Sequence, residues 1–198
     1  MLVKRLFDVF FALAGMLVLF PVFITVAFLI KAGSKGGIFY KQVRVGLNQK
    51  TFKLVKFRTM CANADQDGLL TVGDHDMRIT KIGYWLRKYK IDELPQLINV
   101  LNGDMSFVGP RPEVCKYVEL YNSFQKRVLT VKPGITDWAS IEFIDENRLL
   151  ANAEDPESFY INTIIPLKID QNLKYIDHHS IWIDLKIISY TLKSILVR

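Results

Sequence analysis

Cysteine and histidine are scarce in this chain of 198 residues, so few side chains are available for a metal site built from these two residue types. Cys61 and Cys115 lie far apart without metal-ligand spacing, so we expect two ordinary reduced side chains. The three histidines, His75, His178 and His179, have no ligand-like neighbours. Neither the P-loop pattern nor the dinucleotide-binding glycine pattern occurs. The length predicts one domain.

Acidic residues are fewer than basic ones, giving a net charge of +6 and a pI near 9.2. This excess suggests an anionic partner: nucleic acid, phosphate ligands or an acidic lipid surface. The basic residues flank an apolar segment, and no nucleic-acid-binding motif is recognisable. We therefore expect no nucleic-acid partner.

One long apolar run is present, "VFFALAGMLVLFPVFITVAFLI" at positions 9–30. At about 1.5 Å per residue, a straight helix of this length just crosses a hydrocarbon core of roughly 30 Å. A cleaved signal peptide is disfavoured because the run is long and no small-residue cleavage site follows it. The alternatives are a spanning anchor and a segment that enters the bilayer and returns.

Two features favour the returning segment. Pro21 lies just past the middle of the run, where it removes a helical hydrogen bond. Both flanks are basic, with Lys4 and Arg5 before the run and lysine or arginine at 31, 35, 41 and 44 after it. A spanning helix would show charge asymmetry, since positive charge marks the cytoplasmic side. We therefore predict a re-entrant membrane helix with its flanks at 1–35 and a cytoplasmic catalytic domain at 36–198.

The remaining sequence predicts an α+β, mainly helical fold. Alternating apolar and basic residues around Gly46-Leu47-Asn48 indicate a β-hairpin. Helices are predicted at 81–90, from about Asp92 to 101, and at 113–129, followed by a helical segment that Pro166 kinks or breaks. A short extended piece is predicted after "VKPG". The last segment is amphipathic, typical of a helix that packs on a core or lies in a membrane interface.

The stretch "KIDELPQLINVLNGDMSFVGPRPE" combines an acidic pair, Asp92-Glu93, with a proline-locked arginine loop. Helix capping is one interpretation of the pair. Adjacent helical residues point about 100° apart, which argues against a glycosidase pair flanking one sugar. An aspartate can instead attack phosphorus, provided that Mg²⁺ and basic side chains surround the phosphates. The sequence offers four cations for this purpose: Lys56, Arg58, Arg87 and Arg111.

Several motifs together resemble those of the bacterial sugar transferase family, the monotopic phosphoglycosyl transferases. These motifs are "KRLFDVFFALAGMLVLFPV", "KFRTM", "DMRITKIGYWLRKYKIDELPQLINVLNGDMSFVGPRPE" and "KPGITDWAS". They occur in order from about residue 4 to 140, and the block beginning DELPQL is too long to arise by chance. The chain length resembles that of the minimal, single-domain members.

The resemblance implies transfer of a sugar-1-phosphate from a UDP-sugar to undecaprenyl phosphate, with release of UMP. It implies Asp92 as the covalent nucleophile and Mg²⁺ ligand, with Glu93 as its partner. Arg87, Arg111 and Lys56 match phosphate-holding positions, and Arg58 of the same "KFRTM" motif is a further candidate. We expect a HexNAc-type donor, membrane lipids as neighbours and a site on the cytoplasmic face of the bacterial inner membrane. The sequence does not determine whether the protein forms a homo-oligomer.

Three positions depart from the family pattern. Phe20 replaces the serine that commonly precedes the helix-breaking proline, and Met77 replaces a common proline. Asp137 replaces the glycine of "PGITGWA". The turn geometry and the substrate contacts near this position are therefore expected to differ from the family pattern.

Two rival functions remain from the sequence. A glycosyltransferase that moves the sugar without its phosphate would release UDP. A non-catalytic membrane-surface module would tolerate Asp92→Ala.

Overall fold

The protein is described here from a computed structural model that places residues 2–61, 64, 70–73 and 76–197. His75 and much of the polar loop at 61–75 lie outside the described residues. The α-helices are α1 Leu2–Val18, α2 Phe20–Gly33, α3 Lys81–Lys88, α4 Gln96–Asn102, α5 Cys115–Val118, α6 Trp138–Glu142, α7 Glu146–Ala151, α8 Pro156–Phe159, α9 Ile165–His178 and α10 Ile181–Leu196. The strands are β1 Phe39–Val45, β2 Thr51–Phe57, β3 Ser106–Val108 and β4 Gly134–Thr136. The predicted α+β, mainly helical class is confirmed.

The apolar N-terminal run forms two helices with a break where Pro21 predicts one. Leu19 separates α1 from α2, and Pro21 occupies the first turn of α2, where its missing N–H does no harm. No single described helix is long and apolar enough to cross a bilayer, but α1 and α2 meet that criterion as a pair bent by 61°. Many apolar side chains on both helices are exposed, including Phe10, Leu17 and Phe28.

The first helix of this bent pair is held by the folded domain. Near the start of α1, Lys4 forms an ion pair with buried Asp184 of α10, and Arg5 donates to the carbonyl oxygens of Val100 and Leu101 at the end of α4. Further along α1, buried Asp8 accepts hydrogen bonds from the β3 residues Ser106 and Phe107. These polar contacts fix α1 against the domain.

Strands β1 and β2 form the predicted antiparallel hairpin, with Phe39 opposite Phe57 and Val45 opposite Thr51. A 3₁₀ turn at Leu47–Gln49 joins them, in which Asn48 and Gln49 have φ values of 53° and 61°. Asparagine tolerates this left-handed conformation better than most residues. Along β2, Leu54, Val55 and Phe57 are buried, while Lys56 also faces the interior of the site described below.

Strands β3 and β4 form a short parallel pair, in which Ser106 lies opposite Gly134 and Val108 opposite Thr136. The chain leaving β3 passes very close to β4. A Cβ atom added at Gly134 would lie 2.1 Å from the backbone nitrogen of Gly109, so only glycine fits there. This approach determines the path of the loop Gly109–Pro112. The extended piece predicted after "VKPG" is confirmed as β4.

Two predicted helices are shorter than expected. The helix expected from about Asp92 begins at Gln96, because Pro95 lacks an N–H and the preceding turn closes with 3₁₀ bonds such as Leu94 N–H to Ile91 O.

The prediction of one continuous helix at 113–129 was wrong. Only Cys115–Val118 and a 3₁₀ segment at Gln125–Thr130 are helical. Asn122 and Gln125 exchange side-chain to backbone hydrogen bonds at 2.9 Å, which compete with helical backbone bonding between them.

The C-terminal region is helical, as predicted. A π-helical segment, Tyr160–Ile164, immediately precedes Pro166, which lies in the first turn of α9. The backbone stays helical through Ile164 and Ile165, so at the kink or break predicted for Pro166 the structure shows a local change to π-type bonding and no interruption of the helix. Along α10, Ile187 is fully buried whereas Trp182 and Leu196 are more than four-fifths exposed, so the helix packs on the core and also presents apolar surface.

Candidate active site

The acidic pair lies in a 3₁₀ turn, Ile91–Glu93, between α3 and α4. Lys90 enters this turn in the left-handed conformation at φ 56°, which reverses the chain after α3. Both carboxylates point inward, leaving Asp92 6% and Glu93 8% exposed. Capping of a long helix, the alternative interpretation of the pair, does not describe this geometry because α4 begins three residues after Glu93.

Glu93 is the anion to which two basic side chains bind. Arg111 donates to both of its oxygens, at 2.6 and 3.2 Å, and Lys56 Nζ donates to Oε1 at 2.9 Å. Burial by itself raises the pKa of Glu93, but Arg111 and Lys56 outweigh burial and hold the pKa well below its ordinary value. Glu93 is therefore ionised at neutral pH and organises the surrounding cations.

Asp92 differs from Glu93 both in its hydrogen bonding and in the direction of its pKa shift. Its Oδ1 is buried and has no hydrogen-bond partner among the described residues. Burial raises the pKa of Asp92 above its ordinary value, although Lys56 opposes the shift, and the negative charge of Glu93 adds to it. An uncompensated buried oxygen of this kind is costly to keep and is available to bind a ligand.

Arg87, on α3, supplies a matching unpaired donor. Its Nη2 donates to Thr71 at 3.0 Å, whereas its buried Nη1 has no partner among the described residues. Burial lowers the pKa of Arg87, while the charge of Asp92 opposes this change and thereby links the two groups electrostatically. Burial likewise lowers the pKa of Lys56, against the attraction of Glu93.

Arg111 reaches Glu93 from the rigid loop Gly109–Pro112. Its backbone N–H donates to Asp137 Oδ2 at 3.0 Å, and the Glu93 carboxylate raises the pKa of its guanidinium. Asp137 has an extended backbone at φ −155°, which any residue adopts, so the aspartate in place of glycine causes no strain at this turn. In the sequence, Asp137 was noted only as a departure from the family pattern. An aspartate directly before a short helix is typical of an N-cap, and this signal could have identified its structural role.

The structure brings Lys56, Arg87 and Arg111 to the acidic pair but directs Arg58 elsewhere. The Arg58 guanidinium donates to the carbonyl oxygens of Ser34 and Lys35 and to the Ser34 hydroxyl, just beyond the end of α2. These contacts hold the end of the bent helix pair against β2. The prediction that Arg58 binds substrate phosphate has no support from this placement.

No cluster of three or more histidine, cysteine or acidic side chains suited to a metal occurs within the described ranges. Magnesium, however, is commonly held by one or two carboxylates together with substrate phosphates. The free Oδ1 of Asp92 fits that mode, since it is an unpartnered carboxylate oxygen beside cations suited to phosphate. Asp92 is the residue that would hold the ion.

A buried carboxylate whose Oδ1 has no partner in the described part of the chain, with Lys56 and Arg87 acting on it and Arg111 bound to its neighbour Glu93, is suited to chemistry on a phosphate group. The family model described as "Bacterial sugar transferase" matches residues 1–198. The chain belongs to the bacterial sugar transferase family. A family member from Bacillus subtilis, "Uncharacterized sugar transferase EpsL", is 40% identical over 202 residues, which cover 100% of this chain and 89% of that protein.

Other relatives carry more specific names. The "UDP-N-acetylgalactosamine-undecaprenyl-phosphate N-acetylgalactosaminephosphotransferase" of Aeromonas hydrophila is 36% identical over 197 residues, covering 98% of this chain. The "UDP-glucose:undecaprenyl-phosphate glucose-1-phosphate transferase" of Klebsiella pneumoniae is 37% identical over 195 residues, covering 96% of this chain. This chain spans only 44% and 39% of the lengths of these two relatives.

Proposed function

We propose that this protein transfers a sugar-1-phosphate from a UDP-sugar to undecaprenyl phosphate and releases UMP. The observation that carries the proposal is the buried Asp92 carboxylate, whose Oδ1 lacks a partner among the described residues while Lys56 and Arg87 act on it electrostatically. The names of the Aeromonas and Klebsiella relatives support the same substrate classes.

In the proposed first step, a carboxylate oxygen of Asp92 attacks the phosphorus that bears the sugar. The bond between that phosphorus and the oxygen bridging to the uridine phosphate breaks, and UMP leaves with the bonding electron pair. Asp92 then carries the phospho-sugar as an acyl-phosphate. In the second step, an oxygen of undecaprenyl phosphate attacks the same phosphorus, and the Asp92 carboxylate leaves.

The surrounding side chains have separable roles in this mechanism. The Nη1 of Arg87, which has no partner among the described residues, would bind a phosphate oxygen near Asp92. Glu93 holds Lys56 and Arg111 together so that their positive charge is in place before substrate binds, a form of electrostatic preorganisation. Asp92 would hold magnesium, which would supply further neutralisation of the phosphate charge.

The bent pair α1–α2 is proposed to enter the membrane and return to the same side. Lys4 and Arg5 tie the start of α1 to the domain, and Arg58 ties the end of α2 to it, so both ends lie against one body. The exposed apolar side chains of the pair favour burial in lipid. The domain would then lie on the cytoplasmic face of the bacterial inner membrane, where nucleotide sugars are made.

The donor sugar is proposed to be of the HexNAc type. One relative is named for N-acetylgalactosamine and another for glucose, so the family includes different donors. A panel of UDP-sugars is therefore part of the test.

The test measures nucleotide release by protein in nanodiscs with Mg²⁺, undecaprenyl phosphate and each UDP-sugar. We expect UMP from one donor, its loss in Asp92→Asn, and normal release in Asp170→Asn, a matched change of an exposed aspartate on α9. UDP as product would support the glycosyltransferase alternative. No release from any donor, with vesicle binding retained in Asp92→Asn, would support the membrane-surface module.

The covalent step has its own readout. Without the lipid acceptor, wild-type protein should release at most one equivalent of UMP and gain the mass of one phospho-sugar. Release of UMP only when the acceptor is present would contradict the covalent intermediate.

A further inference from the structure

The loop that presents Arg111 has few backbone N–H groups with which to hold its position, although the carbonyl oxygens of Pro110 and Pro112 accept hydrogen bonds from Gly134 N–H and from Arg44. Two of its four residues, Pro110 and Pro112, lack an N–H, which leaves the donors of Gly109 and Arg111. Gly109 N–H donates to Thr136 O at 3.1 Å, so one donor is used for pairing with β4. The other donor, Arg111 N–H, binds the Asp137 side chain at 3.0 Å.

Asp137 divides its two carboxylate oxygens between different tasks. Oδ1 accepts the N–H of Ser140 and caps α6, which is the ordinary function of an N-terminal aspartate. Oδ2 accepts the N–H of Arg111, a residue 26 positions earlier in the chain. Asp137 is only 1% exposed, so both bonds are shielded from water. Capping alone needs one oxygen, and serine or asparagine provides it equally well.

The bond to Arg111 bears directly on the candidate active site. The Arg111 guanidinium contacts both oxygens of Glu93, and a two-pronged contact of this kind tolerates little movement of the backbone from which it extends. An error of about 1 Å in the placement of such a group is enough to cost a large part of the rate.

We infer that Asp137 is a positioning residue: it fixes the Arg111 backbone and thereby holds the Arg111 fork on Glu93. Its role in catalysis rests on the proposed function above. The placement also explains how this chain accommodates aspartate where the family pattern has glycine. The carboxylate anchors the arginine loop and leaves the β4–α6 turn unstrained.

Asp137→Asn separates positioning from capping. The asparagine oxygen keeps the cap on Ser140, but its amide presents a donor to the Arg111 N–H. Asp137→Ser is the second variant, since serine also caps α6 and is too short to supply a second oxygen to Arg111. We expect both variants to retain the wild-type melting temperature within a few degrees and to lower kcat for UMP release about 10-fold.

A double-mutant cycle identifies the route of the effect. If Asp137 acts through the Arg111 fork, Asp137→Asn should cost less than about 2-fold in an Arg111→Lys background, where the fork is already lost. An equal loss of kcat in both backgrounds would overturn the inference. So would an unchanged kcat in both single variants at position 137.

Hydrogen exchange tests the same contact without any activity measurement. A peptide over 109–113 carries amide hydrogens only at Arg111 and Glu113, because Gly109 becomes its terminal amine and the two prolines have none, so its exchange reports on this loop. Asp137→Asn should speed exchange in this peptide and leave α6 protected; unchanged exchange would refute the positioning role. If wild-type protein releases no UMP, the proposed function fails, and this measurement still decides the role of Asp137.

Discussion

Replacing Asp92 and Glu93 one at a time by their amides should change stability in opposite directions. Glu93→Gln removes the carboxylate that Arg111 and Lys56 share, leaving two largely buried cations without their anion. Asp92→Asn instead removes a buried charge whose Oδ1 has no partner among the described residues. The two changes are chemically matched and adjacent in sequence, so each is the control for the other.

The magnitudes follow from the contacts. Breaking a buried ion pair costs roughly 3–5 kcal/mol. The lower value, about 3 kcal/mol, applies to Glu93→Gln because the side chains of Arg111 and Lys56 are 31% and 18% exposed. At roughly 2–4 °C per kcal/mol for a chain of this size, the melting temperature should fall by about 6–12 °C. Removing the Asp92 charge should raise it by about 2–4 °C, corresponding to about 1 kcal/mol.

The sign depends on pH in a checkable way. The pKa of Asp92 is raised above 3.8, so its ionisation destabilises the native state as pH rises through the raised pKa, and the gain in Asp92→Asn belongs to neutral pH. The pKa of Glu93 is held below 4.5, so its contribution to stability is present above pH 4.5 and is lost as pH falls. The difference in melting temperature between wild type and Glu93→Gln should therefore become smaller at acidic pH.

The assay is thermal unfolding in one detergent at pH 7.5 and pH 4, with UMP release measured on the same samples. Asp92→Asn should be the more stable and inactive protein, and Glu93→Gln the less stable one. A fall in melting temperature for Asp92→Asn at pH 7.5, or no change for Glu93→Gln, would refute the assignment of the two carboxylates.

Three further predictions use the same preparation. In protein free of magnesium and substrate, the carboxyl of Asp92 should titrate above its ordinary pKa of 3.8, because burial raises the pKa; a titration at or below 3.8 would contradict this. Arg111→Lys keeps the charge but loses the two-pronged contact with Glu93, so kcat should fall about 10-fold. Arg58→Lys should mainly lower the melting temperature, by about 2–4 °C. A larger loss of kcat in the Arg58 variant than in the Arg111 variant would contradict these roles. Removing Mg²⁺ with EDTA should abolish UMP release without shifting the melting temperature of substrate-free protein; a clear downward shift would indicate a resident metal site instead.

Local patterns were sufficient for much of the fold. Pro21 within an apolar run predicted a break, and α1 and α2 meet at Leu19, two residues earlier, because the constraint of proline acts on the preceding turn. The alternation around Gly46 predicted the hairpin, since side-chain period is a local property of strands. The helix predicted over 113–129 failed because the Asn122 side chain competes for backbone bonds, which periodicity does not report.

The candidate site was predictable only in part. The motif around Asp92 and Glu93 identified the acidic pair and three of its cations, Lys56, Arg87 and Arg111. It also included Arg58, whose guanidinium contacts Ser34 and Lys35 instead, because a basic residue just after a strand carries no information about the partner it will have.

The amino-acid order was enough to identify the components of this protein: a broken apolar segment, two adjacent carboxylates, a proline-locked arginine and an excess of positive charge. Which carboxylate is compensated by cations became clear from the folded chain alone. Glu93 meets Lys56 and Arg111 from 37 and 18 positions away, while Asp92 Oδ1 remains buried without a partner in the described structure. The physical reason is that burial and long-range ion pairing shift the two pKa values in opposite directions, and neither quantity exists until the chain has folded.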